Sequence, residues 1–452
     1  MPTHFGGRAV VIGAGMAGMP AARVLSDHFD QVIVLENDTL PQDAVPRAGT
    51  PQSKHAHVLL AGGLQALETL FPGFRQALAD AGAQLLIVSF DTQWERPGYA
   101  TYPKRDLGFT SYSMTRPLLE SVVRKKFVAI GNITVHERCR ALRLMTTEDG
   151  ARVTGVSCLH ADGGAEEVEA DLVIDASSNG QLTLNLLTSL GLPAPDETTV
   201  GMDMGYSTAI FEIPEDASHD WKAVFTLPEP PKNRRGALLI QVEGNCWLVS
   251  LGGNHGEKPP EEEAGFLEFA KQLRTHTIYN AIQGAKLRSP IARYGLKASR
   301  WRHFEKLERL PAGLIPFGDT ICRFNPIYGQ GMSVAAKEAC LLEGLLQTAA
   351  RDGDGLESLT ADFLAQAQPI IDAPWAMAVI PDFLDPLTHG ERPADLENAL
   401  KFGAALTRAA YEDAAIHKLM FEVQHLLKPR SALREPAIVE LVQSRMANMA
   451  PA

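Results

Sequence analysis

Cysteine is scarce and dispersed in this chain: Cys139, Cys158, Cys246, Cys322 and Cys340 include no C-x-x-C pair. That spacing argues against a zinc ribbon and against a disulfide framework, so no metal site is expected and a reducing cytoplasm is the expected location. Basic charge is in deficit too. With 42 Lys and Arg against 54 Asp and Glu, the formal net charge of -12 excludes the clustered cationic surface that a nucleic-acid-binding protein needs. Nowhere does the chain approach the roughly 20 uninterrupted apolar residues that cross a bilayer, so no transmembrane segment is expected. The apolar N-terminus lacks a basic region before it and runs into a glycine turn and a helix carrying Arg23, which reads as a first strand and not a signal peptide. Internal repeats and low-complexity tracts are missing as well. What remains is 452 residues with 45% hydrophobic content, enough to bury the cores of two or three domains.

The first of these announces itself. Residues 9–18 read Ala-Val-Val-Ile-Gly-Ala-Gly-Met-Ala-Gly, then helix-compatible residues, then Gln-Val-Ile-Val-Leu-Glu ending at Glu36. This is a dinucleotide-binding βαβ unit. Gly13 permits the tight turn out of the strand, Gly15 lets the backbone approach a pyrophosphate, and Gly18 lets the helix pack on the sheet. The phosphates then lie at the positive helix end. Glu36, about 20 residues on, is placed to accept hydrogen bonds from a ribose 2′-OH, which disfavours NADP at this site.

Further along, residues 41–57 are too rich in Pro, Gly and Gln for regular structure and contain His55 and His57, which lack the partners a metal would want. Helical spacing returns from Leu59 to Leu70, ended by Pro72-Gly73, and a strand is expected at 85–90. A helix is expected to start near Thr115-Arg116-Pro117. From Ile133 the period changes to two, with an Asp149-Gly150 turn, an antiparallel excursion and a buried strand ending at Asp175. A second sheet follows, with strand-like 206–213 and a hairpin turning at Gly244-Asn245. The stretch Gly318-Asp319 through Asn325-Pro326-Ile-Tyr328-Gly329-Gln-Gly331-Met332 then presents a strand end, an acid, a glycine turn and a helix start. Such an arrangement aims N–H groups and a positive helix end at negative charge. The remainder reads as helical. Its apolar stripe at 416–428 is expected to pack on the other domains, since the polar face is not strongly basic; attachment to a membrane surface is the alternative.

Three motifs in this order, the glycine-rich βαβ, Asp171-Leu-Val-Ile-Asp175-Ala176 and the late Gly-Asp with Pro-x-x-Gly-x-Gly, make residues 8–350 resemble the single-component FAD-dependent monooxygenases related to para-hydroxybenzoate hydroxylase. Within that superfamily, Asn325 to Met332 together with Arg47-x-Gly49-x-x-Gln52-x-x-His55-x-His57 looks most like the branch of bacterial polyether epoxidases and squalene epoxidase, enzymes of secondary metabolism in the first case. Two stretches depart from the pattern. Ser177-Ser178-Asn179-Gly180 displaces a glycine expected after Asp175-Ala176, and Thr320-Ile321-Cys322 replaces the Ala-Ala-His common in aromatic hydroxylases.

The resemblance implies an α/β fold: a Rossmann-like FAD-binding domain of GR2 type (residues 1–80, 105–193 and 295–350), an inserted mixed β-sheet substrate domain (81–104 and 194–294) and a C-terminal helical segment (351–452). It implies FAD held by Gly13, Gly15, Gly18, Glu36, Arg47, Arg116, Asp319, Pro326, Gly329, Gly331 and Met332. Arg47, His57 and Tyr328 are the expected catalytic-site residues, with Arg47 near the flavin or an incoming nicotinamide. Pocket walls are expected at Tyr206, Leu239, Gln241, Trp247 and Val249. The implied activity inserts one oxygen atom from O2, by epoxidation or hydroxylation, into a largely apolar small molecule through a flavin C4a-hydroperoxide. NAD(P)H is the implied transient reductant, or a partner flavin reductase supplies reduced flavin. The alternative is an FAD-dependent dehydrogenase or reductase acting on an isoprenoid-like or aromatic substrate. Flavin halogenases carry Trp-x-Trp-x-Ile-Pro, and no two of Trp94, Trp221, Trp247, Trp301 and Trp375 stand two residues apart.

Overall fold

In the computed structural model, which describes residues 4–353 and 355–447, the first strand, Arg8–Ile12, lies at the centre of a five-stranded parallel sheet. The order is Leu314–Pro316, Leu172–Asp175, Arg8–Ile12, Gln31–Leu35, Ile133–His136. Its strands are apolar in both phases because both faces are covered. Ala9 and Val11 face the larger core, shared with the helices Gly18–Leu25, Arg116–Val128 and Gly331–Asp352. Val10 and Ile12 face a second core roofed by the antiparallel strands Cys139–Thr146, Val153–His160 and Ala165–Glu169. That roof is the period-two excursion expected from Ile133 onward.

The mixed sheet runs Cys322–Arg323, Ala292–Arg302, Glu197–Glu212, Cys246–Asn254, Arg235–Val242, Ala223–Thr226, Thr92–Glu95, with His389–Gly390 paired to Glu197–Glu212. The hairpin turn falls at Gly244 and Asn245, whose φ values of +72° and +54° match a tight two-residue connection. Helices Glu263–Lys271 and Thr277–Ile282 close one face of this sheet. The boundary expected between residues 294 and 295 falls inside the continuous strand Ala292–Arg302, which belongs to the mixed sheet. The strand expected at 85–90 is shorter, Gln84–Ile87, and pairs with Thr110–Ser113.

The C-terminal helices divide between two cores. Leu359–Asp382 sends Phe363, Ile371, Trp375 and Val379 into the core of the parallel sheet. Leu396–Glu412 and Ala414–Gln424 instead bury Leu406, Ile416, Met420 and Phe421 against Val88, Tyr102 and Leu107. The stripe beginning at Ile416 is thus internal packing. Among the described residues, no helix is long and apolar enough to cross a membrane.

Candidate active site

The glycine turn after the first strand has the geometry its sequence calls for. Gly13 sits at φ +99°, and a Cβ there would meet the Ala176 carbonyl at 2.8 Å. A Cβ on Gly18 would come within 1.8 Å of the Gly13 carbonyl oxygen, so helix and strand approach only because hydrogen replaces a side chain. Beside Gly15 there is open space: its Cβ would have no neighbour within 4 Å. The turn therefore leaves room on the side of Gly15, where a pyrophosphate would lie.

At the end of the second strand Glu36 is buried, accepting from Ala14 N at 2.8 Å and Asp38 N at 2.9 Å. Arg47 is drawn into this acidic corner. Its guanidinium lies 3.2 Å from Glu36, 3.3 Å from Asp38 and 3.5 Å from Glu120, and also donates to the Ala14 carbonyl. These partners place Arg47 at the strand-end acid and the glycine turn. Three carboxylates and the Ala14 carbonyl therefore hold the side chain expected near the flavin or an incoming nicotinamide.

The late turn meets the glycine turn directly. A Cβ on Gly318 would touch the Ala17 side chain at 2.8 Å, and Gly318 N donates to buried Glu338 at 2.9 Å. Burial raises the Glu338 carboxyl to about 7, against the pull of that N–H. Asp319 is also raised by burial, with Arg323, Arg116 and Arg300 opposing the shift. Arg116 pairs with Glu120 at 2.8 Å and donates to Met332 Sδ, while His57 points its Nδ1 at the His55 carbonyl, 2.9 Å away. Burial, with Arg116 adding to it, lowers His57 to about 3 and keeps it neutral. Gly329, at φ +65°, packs against Val58, and Gly331 opens the helix with its Cα side toward Asp319. The structure thus brings Arg116, His57, Asp319, Gly329, Gly331 and Met332 together.

Around them lie buried donors and acceptors without a hydrogen bond, Arg300 Nε keeping only a 4.0 Å ion pair with Glu197. Arg300 Nε and Nη2, Arg323 Nε and Gln330 Oε1 are buried with no hydrogen-bond partner. Buried polar atoms without hydrogen bonds are costly, and cationic ones close enough to Asp319 to act on its carboxyl fit a phosphate-bearing ligand. Neither arginine belongs to a motif; they come together only through the pairing of the edge strand Cys322–Arg323 with Ala292–Arg302.

Tyr328 is bound to Asp382. Its hydroxyl donates to Asp382 at 3.0 Å, and Asn325 Nδ2 donates to both oxygens of the same carboxylate. Asn325 Oδ1 accepts from Ile327 N, so Asp382 and Asn325 together fix the turn that Pro326 opens; Pro326 itself is exposed. Burial raises Asp382 to about 6, and both hydrogen bonds act against that shift.

On the mixed sheet the two faces have different neighbours. Leu239, Trp247 and Val249 are at most 3% exposed and pack against Phe266, Phe269, Ile278 and Ile282 of the covering helices. Gln241 shares their phase on the strand. The expectation that these four line a pocket is therefore corrected: alternate residues of a strand point to opposite faces, and theirs is the closed one. The other phase faces the loop carrying His55. Tyr206 meets the His55 ring edge-on at 4.6 Å, His55 Nδ1 lies 2.8 Å from Thr208 Oγ1, and Ala56 N donates to Ser250 Oγ. Burial, reinforced by Lys54, lowers His55 to about 4. Ile210, Leu238, Ile240 and Leu248 continue this face toward Phe225, which stacks on Trp94 at 4.1 Å. A shallow depression lined by Arg105, Gly108, Ala414 and Lys418 lies apart, among the C-terminal helices.

No family model matches the chain. Protein Rv3254 of Mycobacterium tuberculosis is 32% identical over 418 residues, covering 85% of this chain and 83% of that protein. Among solved structures, a flavoprotein/dehydrogenase from Cytophaga hutchinsonii superposes with a TM-score of 0.69 at 14% identity, covering 98% of both chains. The flavin-dependent brominase Bmp2 gives 0.68 at 13% identity over 98% of this chain and 99% of that one. PqsL, a probable FAD-dependent monooxygenase from Pseudomonas aeruginosa, gives 0.62 at 15% over 84% of this chain and 96% of its own. At such identities the likeness is one of fold: the mixed α/β architecture is shared with these flavoproteins.

Proposed function

We propose that this chain, which belongs to the family of Mycobacterium tuberculosis Protein Rv3254, is an FAD-dependent monooxygenase that epoxidises or hydroxylates a largely apolar small molecule. The observation that carries the reading is the meeting of Ala17 and Gly318, with open space at Gly15 and, near Asp319, guanidinium atoms of Arg300 and Arg323 that lack hydrogen bonds. The named folds above are flavoproteins, and PqsL is described as a probable monooxygenase, which supports the same class.

In this reading Gly13 to Gly18 receive the pyrophosphate and Glu36, paired with Arg47, holds the adenosine ribose. Asp319 takes the ribityl hydroxyls, and the helix opening at Gly331-Met332 directs its positive end at the ring edge. Bound and reduced, FAD supplies the activation of O2 and the transfer of one oxygen atom. The chain's own part is orientation and exclusion of water. His55 and His57 are neutral at pH 7, so the wall they form with Tyr206 carries no charge and suits an apolar substrate. Tyr328, anchored by Asp382, acts as a positioning residue for the turn.

NAD(P)H or a partner reductase supplies electrons in this scheme. The dehydrogenase reading keeps one specific support, the end-to-end match to a protein described as a flavoprotein/dehydrogenase. Halogenation is disfavoured by the missing Trp-x-Trp-x-Ile-Pro. The experiment is to purify the protein, record its visible spectrum, and follow NADH and NADPH oxidation with polyene and phenolic compounds under isotopically labelled O2. Yellow protein and labelled product are expected. Colourless protein that resists reconstitution with FAD overturns the flavoprotein reading, and turnover without label in the product moves it to the dehydrogenase.

A further inference from the structure

A second cluster of chemically versatile side chains lies on the far side of Glu36, between the edge of the parallel sheet and its antiparallel roof. The edge strand Ile133–His136 ends in a tight turn, with Arg138 at φ +51°, that brings His136 and Cys139 to the same place. Cys139 lies directly opposite His160 in the antiparallel ladder, and Cys158, two residues before His160 and so on the same face, lies opposite Glu166. One ligand atom each from His136, Cys139 and His160 fall within 4.8 Å of one another, and the same holds for Cys158, His160 and Glu166. His160 belongs to both sets. The two thiols are 1% and 0% exposed, and His136 Nδ1 is buried without a hydrogen-bond partner.

We propose that His136, Cys139, Cys158 and His160 bind one zinc-class divalent cation, with Glu166 hydrogen-bonded behind the ligand set. Two imidazole nitrogens and two sulfurs select zinc over calcium or magnesium, which take oxygen ligands. Four protein ligands leave no open position, so the site is structural. Glu166 already lies 2.7 Å from His160 Nε2, the carboxylate partner that a metal-bound histidine uses, through its other ring nitrogen, to fix its orientation. What the ion would clamp is specific. Glu36 N donates to the His136 carbonyl, Cys139 N donates to the Glu36 carbonyl, and Arg138 N donates to the Asp38 carbonyl. The backbone that positions Glu36 and Asp38 is therefore stitched to the same four-residue segment that carries two ligands. The pattern in sequence is H-x-x-C followed by C-x-H on the next strand, which a search for C-x-x-C passes over. The absence of a metal site expected from cysteine spacing is the reading this proposal reverses.

The test uses the full chain, purified with a thiol reductant and dialysed against metal-free buffer, and needs no flavin. One zinc per chain is expected by elemental analysis. Replacement with Co2+ is expected to give a thiolate-to-cobalt charge-transfer band and the intense visible bands of a tetrahedral ion. Cys139→Ser with Cys158→Ser removes both signals, Cys340→Ser leaves them, and Glu166→Gln weakens zinc affinity roughly tenfold. Should the double variant fail to fold, the wild-type chain answers alone: chelation lowers its melting temperature by several degrees and added Zn2+ restores it. Absence of stoichiometric metal and of the cobalt bands in wild-type protein overturns the proposal. So does a cobalt thiolate band that survives loss of both cysteines, or a Cys139–Cys158 disulfide as the resting state.

Discussion

The two large sheets of this molecule face the same problem with different outcomes. The parallel sheet is covered on both sides, and in the proposed reading its strand end depends on three glycines, two admitting close backbone atoms and one leaving open space. The mixed sheet is sealed on one side by two helices and turned on the other toward His55 and Tyr206. In the first sheet the chemistry is set by what a residue lacks; in the second it is set by which way a residue points. Substitutions should therefore behave differently in the two.

The sharpest contrast lies within the glycine turn. Gly15→Val is expected to fold with near-normal circular dichroism while losing bound FAD, at least a hundredfold by equilibrium titration, because its side chain enters open space that a phosphate needs. Gly18→Val should instead fail on stability, by about 3 kcal/mol or more in urea, since overpacking against a backbone carbonyl has no relief. Yellow Gly15→Val protein would break the assignment of the cradle.

The two faces of the mixed sheet give the next effect. Leu239→Ala should cost about 3 kcal/mol of stability and leave the KM for an apolar substrate unchanged, whereas Tyr206→Ala should raise KM with a smaller loss of stability. A KM change in Leu239→Ala with normal kinetics in Tyr206→Ala would reverse the orientation of the sheet.

Acid affects the regions in opposite directions. His417 and His425 are lowered to about 4 by burial, with nearby Arg105 adding to the effect at His417, so the unfolded chain takes up their protons first. Their contribution to stability is complete above about pH 6.5 and is lost as pH falls toward 4. Hydrogen exchange should show the helices of residues 396–424 opening first over that range. Glu338 is raised to about 7, so the native state there takes up its proton before the unfolded chain does. Glu338→Gln should accordingly stabilise the protein by about 3 kcal/mol at pH 8 and by less than about 1 kcal/mol at pH 5, read from urea midpoints. The smallest effect belongs to the hairpin: Asn245→Ala should cost about 1 kcal/mol, because alanine tolerates the left-handed backbone poorly.

The legibility of the chain follows the same division. Strands 8–12, 31–35 and 172–175 could be read because continuous apolar runs, glycine spacing and a terminal acid all agree, and the hairpin could be read from Gly244-Asn245. The phase of the mixed sheet could not. Leu238, Leu239 and Ile240 on one strand, and Leu248 and Val249 on its neighbour, are apolar in both registers, since both faces meet protein. Arg47 was placed by its loop and not by its three carboxylate neighbours, which come from separate segments. Arg300 and Arg323 gain meaning only when the short strand Cys322–Arg323 pairs with Ala292–Arg302, and Asp382 only when a helix end reaches Asn325 and Tyr328. Local patterns carry local geometry; sites assembled from distant segments need the fold.

The junction between Ala61 and His425 has a temporal meaning. Ala61 N donates to His425 Nδ1, Gly62 N to the His425 carbonyl, and Lys337 Nζ to the Leu426 carbonyl, so the helix beginning at Ala61 is capped by residues made more than 360 positions later. A nascent chain emerging from the ribosome holds its glycine turn and parallel strands early but cannot finish the wall beside Val58 and Gly329 until the last helices have been translated. Message truncated before the His425 codon would yield a polypeptide with its glycine turn but an uncapped helix at Ala61, a natural client for chaperones and proteases.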